Sequence, residues 1–337
     1  MILLRKFGTQ NGRPLLSATL TAANSQVTIL SLGAITQDWQ HAGQTDTLPM
    51  VLGYENPAAY QNNPAYFGAI VGRVANRCAY GRFSLAGQNY TLPVNQPPHH
   101  LHGGPQGLQC WNFKLWADTA QNALTLTHRS PDGHMGYPGN VDFRIQISLN
   151  DDCLTYEMNA RPDRPTPINL AQHSYYNLGA SPTCRAHTLE LQSTAYAPAD
   201  LTGLPTGQIR KSAGSRYDFA TPRVLQQADP ASAGYDVYML ADPARDQNMP
   251  LASLSAAGRR LKLWSDQPGL QLYDAMHLTH ISGGHGGRAY QRFAGLALEP
   301  QAIPNILNMP QFGTVVCTQN QPYHQVTSVE ITTGLGG

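Results

Sequence analysis

Apolar and polar residues alternate in short stretches along most of this chain. One alternating stretch runs from Phe143 to Leu149, a polar turn follows at 150–152, and the alternation resumes from Leu154 to Met158. Because successive side chains of a strand point to opposite faces of a sheet, this pattern predicts a β-hairpin.

Similar short segments recur, separated by turn residues. The other predicted strands are 83–85 and 90–92, which form a second hairpin around Gly87, and Val27–Leu32, Leu124–Thr127, His187–Gln192, Arg260–Trp264, Leu270–Tyr273 and Val326–Thr332. Only Asn56–Gln61 suggests a short helix. Many short strands between glycine and proline turns predict an all-β fold of large antiparallel sheets, either a sandwich or a barrel. No linker composition divides the chain, so a single domain, 1–337, is expected.

Charge narrows the partners that this chain can have. Charged residues make up 13% of the 337 residues, the formal net charge is +1, and lysine and arginine form no run. A nucleic acid or an anionic membrane is normally met by a basic stripe, so neither is expected as a partner. A neutral polar ligand fits this charge balance better.

The cysteines and the N-terminus bear on location. The five cysteines are odd in number and show no Cys-x-x-Cys spacing, which argues against a disulfide framework or a thiolate zinc site. The N-terminal apolar stretch is too short for a signal peptide, and no apolar stretch is long enough for a membrane span. We expect a soluble, cytoplasmic protein.

One carboxylate stands out chemically. Glu299 closes the apolar run 293–298, where burial should raise the pKa of its carboxyl group. Such a group can accept and return a proton near neutral pH, so Glu299 is a candidate general base. Asp236 lies between tyrosines, an arrangement found both in sugar-binding pockets and in ordinary turns.

Histidines are the natural acids to pair with that base. His102 precedes two glycines, and His173 lies in a segment rich in hydrogen-bonding side chains. Each, taken alone, is more typical of a structural histidine. A metal site built from His99, His100 and His102 is a further interpretation, but no carboxylate or thiolate flanks them at ligand spacing.

Asn76 and Arg77 offer an amide beside a guanidinium, a combination that suits sugar hydroxyls, although Arg77 alone would also suit a surface ion pair. The chain contains no glycine-rich phosphate-binding pattern and no Gly-x-Ser-x-Gly elbow. Nucleotide binding and serine hydrolysis therefore lack support.

Several motifs together resemble those of the aldose 1-epimerase (mutarotase) family. They are Gly-Arg-Val-Ala-Asn-Arg at 72–77, Leu-His-Gly-Gly at 101–104, Asn-Leu-x-x-His-Ser-Tyr-Tyr-Asn-Leu at 169–178 and Leu-Glu-Pro-Gln at 298–301, with lesser matches at 130–139, 204–209 and 218–222. Their order and spacing, which span about residues 50 to 308, make the set specific.

The resemblance implies a large β-sandwich of the supersandwich, galactose mutarotase-like kind. It also implies Glu299 as general base, His173 as general acid and His102 as a residue that binds and polarises the sugar. Substrate-binding roles are implied for Asn76, Arg77, Asp236 and Gln271. The implied partner is a monosaccharide, bound by a monomer or weak homodimer with no metal and no organic cofactor.

Three residues depart from the family pattern. His99 stands where many members have Asn, His134 where an acidic residue is common, and Asn305 where Asp is usual. None is a proposed proton-transfer residue, so the departures bear on substrate preference. A hexose-phosphate epimerase and a non-catalytic sugar-binding protein are the alternatives. A glycoside hydrolase usually needs two carboxylates, and His173 would then have no role.

Overall fold

The computed structural model describes residues 2–334, and nearly all of their regular structure is β. The strands, β1 to β28 in chain order, are Leu3–Gln10, Arg13–Ala22, Ser25–Leu30, Thr36–Ala42, Thr47–Pro49, Ile70–Val71, Arg77–Cys78, Arg82–Leu85, Gln88–Thr91, His100–Leu101, Lys114–Asp118, Ala123–Ser130, Val141–Asn150, Cys153–Pro162, Thr166–Pro167, Ala171–Gln172, Tyr175–Tyr176, Thr188–Leu191, Ala195–Ala197, Arg210–Lys211, Arg223–Val224, Asp236–Leu240, Ala252–Ala256, Arg259–Ser265, Gly269–Tyr273, Leu296–Pro300, Val316–Cys317 and Tyr323–Thr333.

Helical structure is brief. One α-helical turn, α1, spans Leu225–Ala228. The 3₁₀ turns are Pro57–Gln61, Ala79–Gly81, Leu108–Cys110, His134–Gly136, His285–Gly287, Ile306–Asn308 and Pro310–Phe312. Within residues 2–334, no helix is long and apolar enough to cross a bilayer.

Three large antiparallel sheets organise the molecule. The first contains β1 to β5 in chain order. The second has nine strands in the order β11-β12-β13-β14-β28-β24-β23-β18-β21, and the third has six in the order β17-β26-β25-β22-β19-β20. Apolar side chains from all three sheets meet in one hydrophobic cluster, to which Val27, Phe143 and Leu298 belong. Burial of this shared apolar face holds the sheets together as the layers of a β-sandwich.

The six-stranded sheet keeps its two faces chemically distinct. Leu270 and Leu272 of β25 enter the hydrophobic cluster, whereas Gln271 and Tyr273 point to the opposite face. Strand β26 follows the same alternation, because Leu298 lies in the cluster and Glu299 on the other side. The candidate site residues Gln271 and Glu299 therefore lie on the face that turns away from the sandwich core.

Most strand predictions are confirmed, with shifted ends. Strands β13 and β14 form the predicted hairpin, and β8 pairs with β9. The predicted strand Val27–Leu32 is instead Ser25–Leu30, because the chain bends at Ser31. The predicted helix at Asn56–Gln61 is a 3₁₀ turn, and the side chain of Asn56 caps it by accepting a hydrogen bond from the Ala58 N–H.

Candidate active site

A cavity of about 1000 Å³ opens on the outward face of the six-stranded sheet. The seven site residues predicted from the sequence all line it: Asn76, Arg77, His102, His173, Asp236, Gln271 and Glu299. Their positions along the chain span more than two hundred residues, so the fold itself brings them together.

Glu299 lies near the end of β26 and is only 2% exposed. Its Oε2 atom has no hydrogen-bond partner among residues 2–334. Burial, followed by the nearby charge of Asp236, raises the pKa of the Glu299 carboxyl well above its ordinary value, and Arg77 opposes the shift. The carboxyl group therefore has the raised pKa that the sequence predicted.

His173 faces Glu299 across the cavity floor. Its Nε2 lies 3.5 Å from Oε1 of Glu299, and its main-chain N–H donates to the Ala69 carbonyl at 2.8 Å. Burial lowers the pKa of the His173 imidazole to about 4. The two opposite shifts favour one shared proton, because burial disfavours both an extra positive and an extra negative charge on this pair.

His102 is held in a defined tautomer. Its Nδ1 accepts a hydrogen bond from the main-chain N–H of Asn76 at 3.1 Å, so the ring hydrogen of the neutral form lies on Nε2. Burial lowers the pKa of His102 well below its ordinary value and keeps the ring neutral. A backbone φ of +51° takes His102 off the strand β10, so a strand arrangement that would place His100 and His102 on one face does not form.

Beside these residues, the polar side chains of Arg77, Asp236 and Gln271 contact one another in series. Nη2 of Arg77 lies 3.8 Å from Oδ2 of Asp236, and Nε2 of Gln271 donates to Oδ1 of Asp236 at 2.6 Å. Gln271 pairs with Glu299 in the antiparallel register of β25 and β26. Its buried Oε1 has no partner within the described part of the chain, which leaves an acceptor for a ligand hydroxyl.

Aromatic rings complete the wall around the histidines. The ring of Tyr66 lies 4.7 Å from that of His102, and the ring of Tyr175 lies 5.0 Å from that of His173. Such faces suit the C–H surface of a sugar. Sequence reasoning assigned neither tyrosine: Tyr175 belongs to a quoted motif, but no local signal marks Tyr66.

The other residues singled out in the sequence lie outside the cavity lining. His100 contacts the Pro93 carbonyl and the Tyr137 hydroxyl, and the ring of His134 packs on Trp111. His99, His100 and His102 thus take separate partners, and residues 2–334 contain no group of three His, Cys, Asp or Glu side chains placed to hold a metal ion.

Asn305 supports the site from behind, since its main-chain N–H donates to the Arg77 carbonyl at 2.8 Å. The glycine-rich segment 282–287 does not border the cavity, whose lining ends at Ile281 on that side.

Arg73, in the motif at 72–77, stabilises the fold. It is 3% exposed, and its guanidinium donates to Ser130 Oγ and to the carbonyls of Pro131, Pro138 and Gly139. Burial lowers its pKa to about 10, so the side chain stays charged at neutral pH. Arg73 therefore fixes the 130–139 segment rather than the ligand.

Known proteins share both this sequence and this fold. The sequence pattern of the aldose 1-epimerase family matches residues 17–330. A galactose mutarotase from Mus musculus is 35% identical over 284 residues, which cover 82% of each chain. An aldose 1-epimerase from Escherichia coli (strain K12) is 32% identical over 281 residues, which cover 79% of this chain and 80% of the relative.

Solved structures agree with this result. A galactose 1-epimerase from Lactobacillus acidophilus superposes with a TM-score of 0.86 at 25% identity, covering 99% of both chains. An aldose epimerase homologue from C. elegans gives 0.89 at 25% identity, covering 94% of this chain and 99% of the other. The predicted fold class, a galactose mutarotase-like β-sandwich, is confirmed. The chain belongs to the aldose 1-epimerase family.

Proposed function

We propose that this chain interconverts the α and β anomers of a free hexose, such as galactose or glucose, by opening and closing the sugar ring. Membership of the aldose 1-epimerase family supports this isomerase activity. The observation that carries the residue roles is the approach of His173 to Glu299, at 3.5 Å, within the cavity.

In the proposed mechanism Glu299 is the base and His173 the acid. The carboxylate of Glu299 takes the proton of the C1 hydroxyl, the C1–O5 bond breaks, and the ring oxygen takes a proton from His173. The open aldehyde then rotates about C1–C2, and closure reverses both transfers. The raised pKa of Glu299 and the lowered pKa of His173 place the single proton of the pair on Glu299 at rest, so the mechanism requires its transfer to His173 before the ring opens.

His102 is proposed to donate its Nε2 hydrogen to the sugar near the ring oxygen. Its tautomer suits this task, because the Asn76 main-chain N–H occupies Nδ1. Asn76, Arg77, Asp236 and Gln271 are proposed to bind the hydroxyl groups and hold the sugar in register with the acid and base. The steps move only protons and one C–O bond, so they use neither a metal nor an organic cofactor.

We further propose that the chain acts as one domain, because one hydrophobic cluster draws on all three large sheets. On its charge balance and cysteine usage we propose a cytoplasmic monomer or weak homodimer without nucleic-acid or membrane partners. The substrate is a small-molecule monosaccharide.

Polarimetry of freshly dissolved α-galactose and α-glucose tests the proposal. The protein should accelerate the approach to the equilibrium rotation at catalytic concentrations, and Glu299→Gln should abolish that acceleration. Glucose 6-phosphate provides a parallel arm that separates a free-sugar from a sugar-phosphate epimerase. A wild-type protein that accelerates mutarotation of neither free hexose would refute the proposal.

A further inference from the structure

One wall of the cavity is a short loop, residues 198–206, organised by Asp200. The Asp200 carboxylate accepts hydrogen bonds from the main-chain N–H groups of Thr202 at 2.8 Å and Leu204 at 3.1 Å. The main chain closes on itself as well, since the Gly203 N–H donates to the Asp200 carbonyl at 3.0 Å. Asp200 thus gives the loop a compact shape of its own.

This loop packs against Arg77. A Cβ atom built on Gly203 would lie 2.6 Å from Cζ of Arg77, and the φ of Gly203 is +80°. Only a glycine lets the backbone approach the guanidinium so closely. On another side, Nε of Arg77 donates to Oε1 of Gln96 at 2.8 Å. Two separate segments, the loop and the 96–99 turn, therefore hold the Arg77 side chain.

His99 joins these two segments. It exchanges main-chain hydrogen bonds with Gln96 at 2.7 and 3.1 Å, and its Nε2 lies 2.8 Å from Oγ1 of Thr202. Its Nδ1 accepts from the Tyr80 N–H at 3.2 Å, so the hydrogen of the neutral ring is on Nε2 and is donated to Thr202. The Thr202 hydroxyl in turn donates to Asp200 Oδ1 at 2.6 Å. Each hydrogen bond in the series from Tyr80 through His99 and Thr202 to Asp200 therefore has a fixed direction.

We propose that His99 is a positioning residue that, through Thr202, holds the 198–206 loop against Arg77 and so fixes the guanidinium for sugar binding. The inference rests on the proposed function, because Arg77 is the residue through which it acts. His99 is 1% exposed and does not line the cavity. Its effect should appear in substrate binding rather than in proton transfer, since Glu299 and His173 lie on other segments.

This series of hydrogen bonds requires a neutral His99 ring, and the surroundings of His99 favour that form. Burial and the nearby Arg77 lower the pKa of His99, whereas Asp200 opposes the shift. The imidazole therefore keeps its Nδ1 lone pair for Tyr80 at neutral pH. Thr202 lies on the exposed side of the contact, so it can be changed with little risk to folding.

The matched pair Thr202→Val and Thr202→Ser tests this role. Valine removes the hydroxyl at nearly constant shape, and we expect KM for galactose to rise by about three- to tenfold, with kcat within about twofold of wild type. Serine keeps the hydroxyl and should restore a near wild-type KM. The backbone amides of 199–206 should exchange with deuterium faster in the valine variant than in the serine variant.

A double-mutant cycle with His99→Leu extends the test. Both changes break the same contact, so their effects on KM should be clearly less than additive. An unchanged KM in Thr202→Val, or an equal loss in the serine variant, would overturn the inference. A wild-type protein without mutarotase activity would overturn the proposed function instead, and the deuterium-exchange comparison still tests the contact between His99 and the loop.

Discussion

Oε1 of Glu299 and Nε2 of His173 lie 3.5 Å apart, and their side chains are 2% and 4% exposed. Their proximity follows from the sheet: β26 carries Glu299 and pairs with β17, which begins two residues after His173. A buried acid and base at this distance form one titrating unit, and their sequence neighbours alone would not reveal it.

Replacing the base should remove catalysis without removing the fold. Glu299→Gln keeps the size of the side chain but cannot accept a proton, so we expect kcat to fall by a factor of about 10² to 10⁴. Polarimetry measures this loss. Glu157→Gln, on the nine-stranded sheet, is the matched control and should keep wild-type activity. Near-normal turnover in Glu299→Gln would exclude the carboxylate as the base.

Replacing the acid should produce a comparable loss. His173→Asn retains a polar side chain yet cannot protonate the ring oxygen, so kcat should fall by a factor of about 10² or more. Binding of galactose, measured by calorimetry, should weaken far less. If the variant loses binding and kcat in equal measure, His173 serves the ligand rather than the proton transfer.

The pH profile should be flat on the acid side through the usual titration range of histidine. The active pair carries one proton, and gaining a second requires protonation of His173, whose pKa is lowered to about 4. Because the pKa of His173 is lowered, the imidazole gains this proton only at low pH. The value of kcat/KM should therefore hold from pH 7 down to about 5 and fall as pH approaches 4. An acid limb with a midpoint near pH 6.5 would contradict this assignment.

Buried histidines should also make the fold acid-sensitive. His187 is 1% exposed, its Nε2 accepts the Leu178 N–H, and burial lowers its pKa to about 4. The unfolded state binds a proton below about pH 6.5 and the folded state does not, so stability present above pH 6.5 is lost as pH falls towards 4.

The linkage predicts a loss of roughly 2 kcal/mol from His187 alone at pH 5. Urea unfolding at pH 7.5 and pH 5 should therefore show a smaller pH dependence in His187→Gln than in wild type. The control His280→Gln, at an exposed position, should keep the wild-type pH dependence. Equal pH dependence in all three proteins would show that His187 does not titrate with unfolding.

Arg73 should matter more for stability than the exposed Arg129. Lysine cannot reproduce the fork of donors that meets Ser130 and the carbonyls of the 130–139 segment, so Arg73→Lys should lower the free energy of unfolding by roughly 2–4 kcal/mol. The exposed Arg129→Lys should change it by less than about 1 kcal/mol. Denaturant unfolding distinguishes the two.

The sequence predicted many strands that alternate cleanly but missed β2 and β4, whose buried positions also alternate. Gln271 and Tyr273 lie on one face of β25, as the alternation indicated. The N-terminal strand β1 was not predicted, because both of its faces are largely exposed and it lacks an apolar period. Alternation assigns a side chain to a face but leaves the order of strands open.

The candidate site could be predicted from the sequence only in part. Motifs resembling those of a family pointed to seven residues that the structure brings to one cavity, and their catalytic roles stay predictions. The contact of Gly203 with Arg77 and the link from His99 to Thr202 join segments about a hundred residues apart. No local pattern encodes such pairs, since they depend on loops that only tertiary packing places.

The alternation of β26 ties the position of the Glu299 carboxyl to correct strand pairing. A slip of one residue against β25 would turn Glu299 into the hydrophobic core and place Leu298 in the cavity. A protein with this shifted register would lose both the carboxyl group in the cavity and the apolar packing of the core. Selection for the folded register therefore also keeps the side chain of residue 299 facing the cavity.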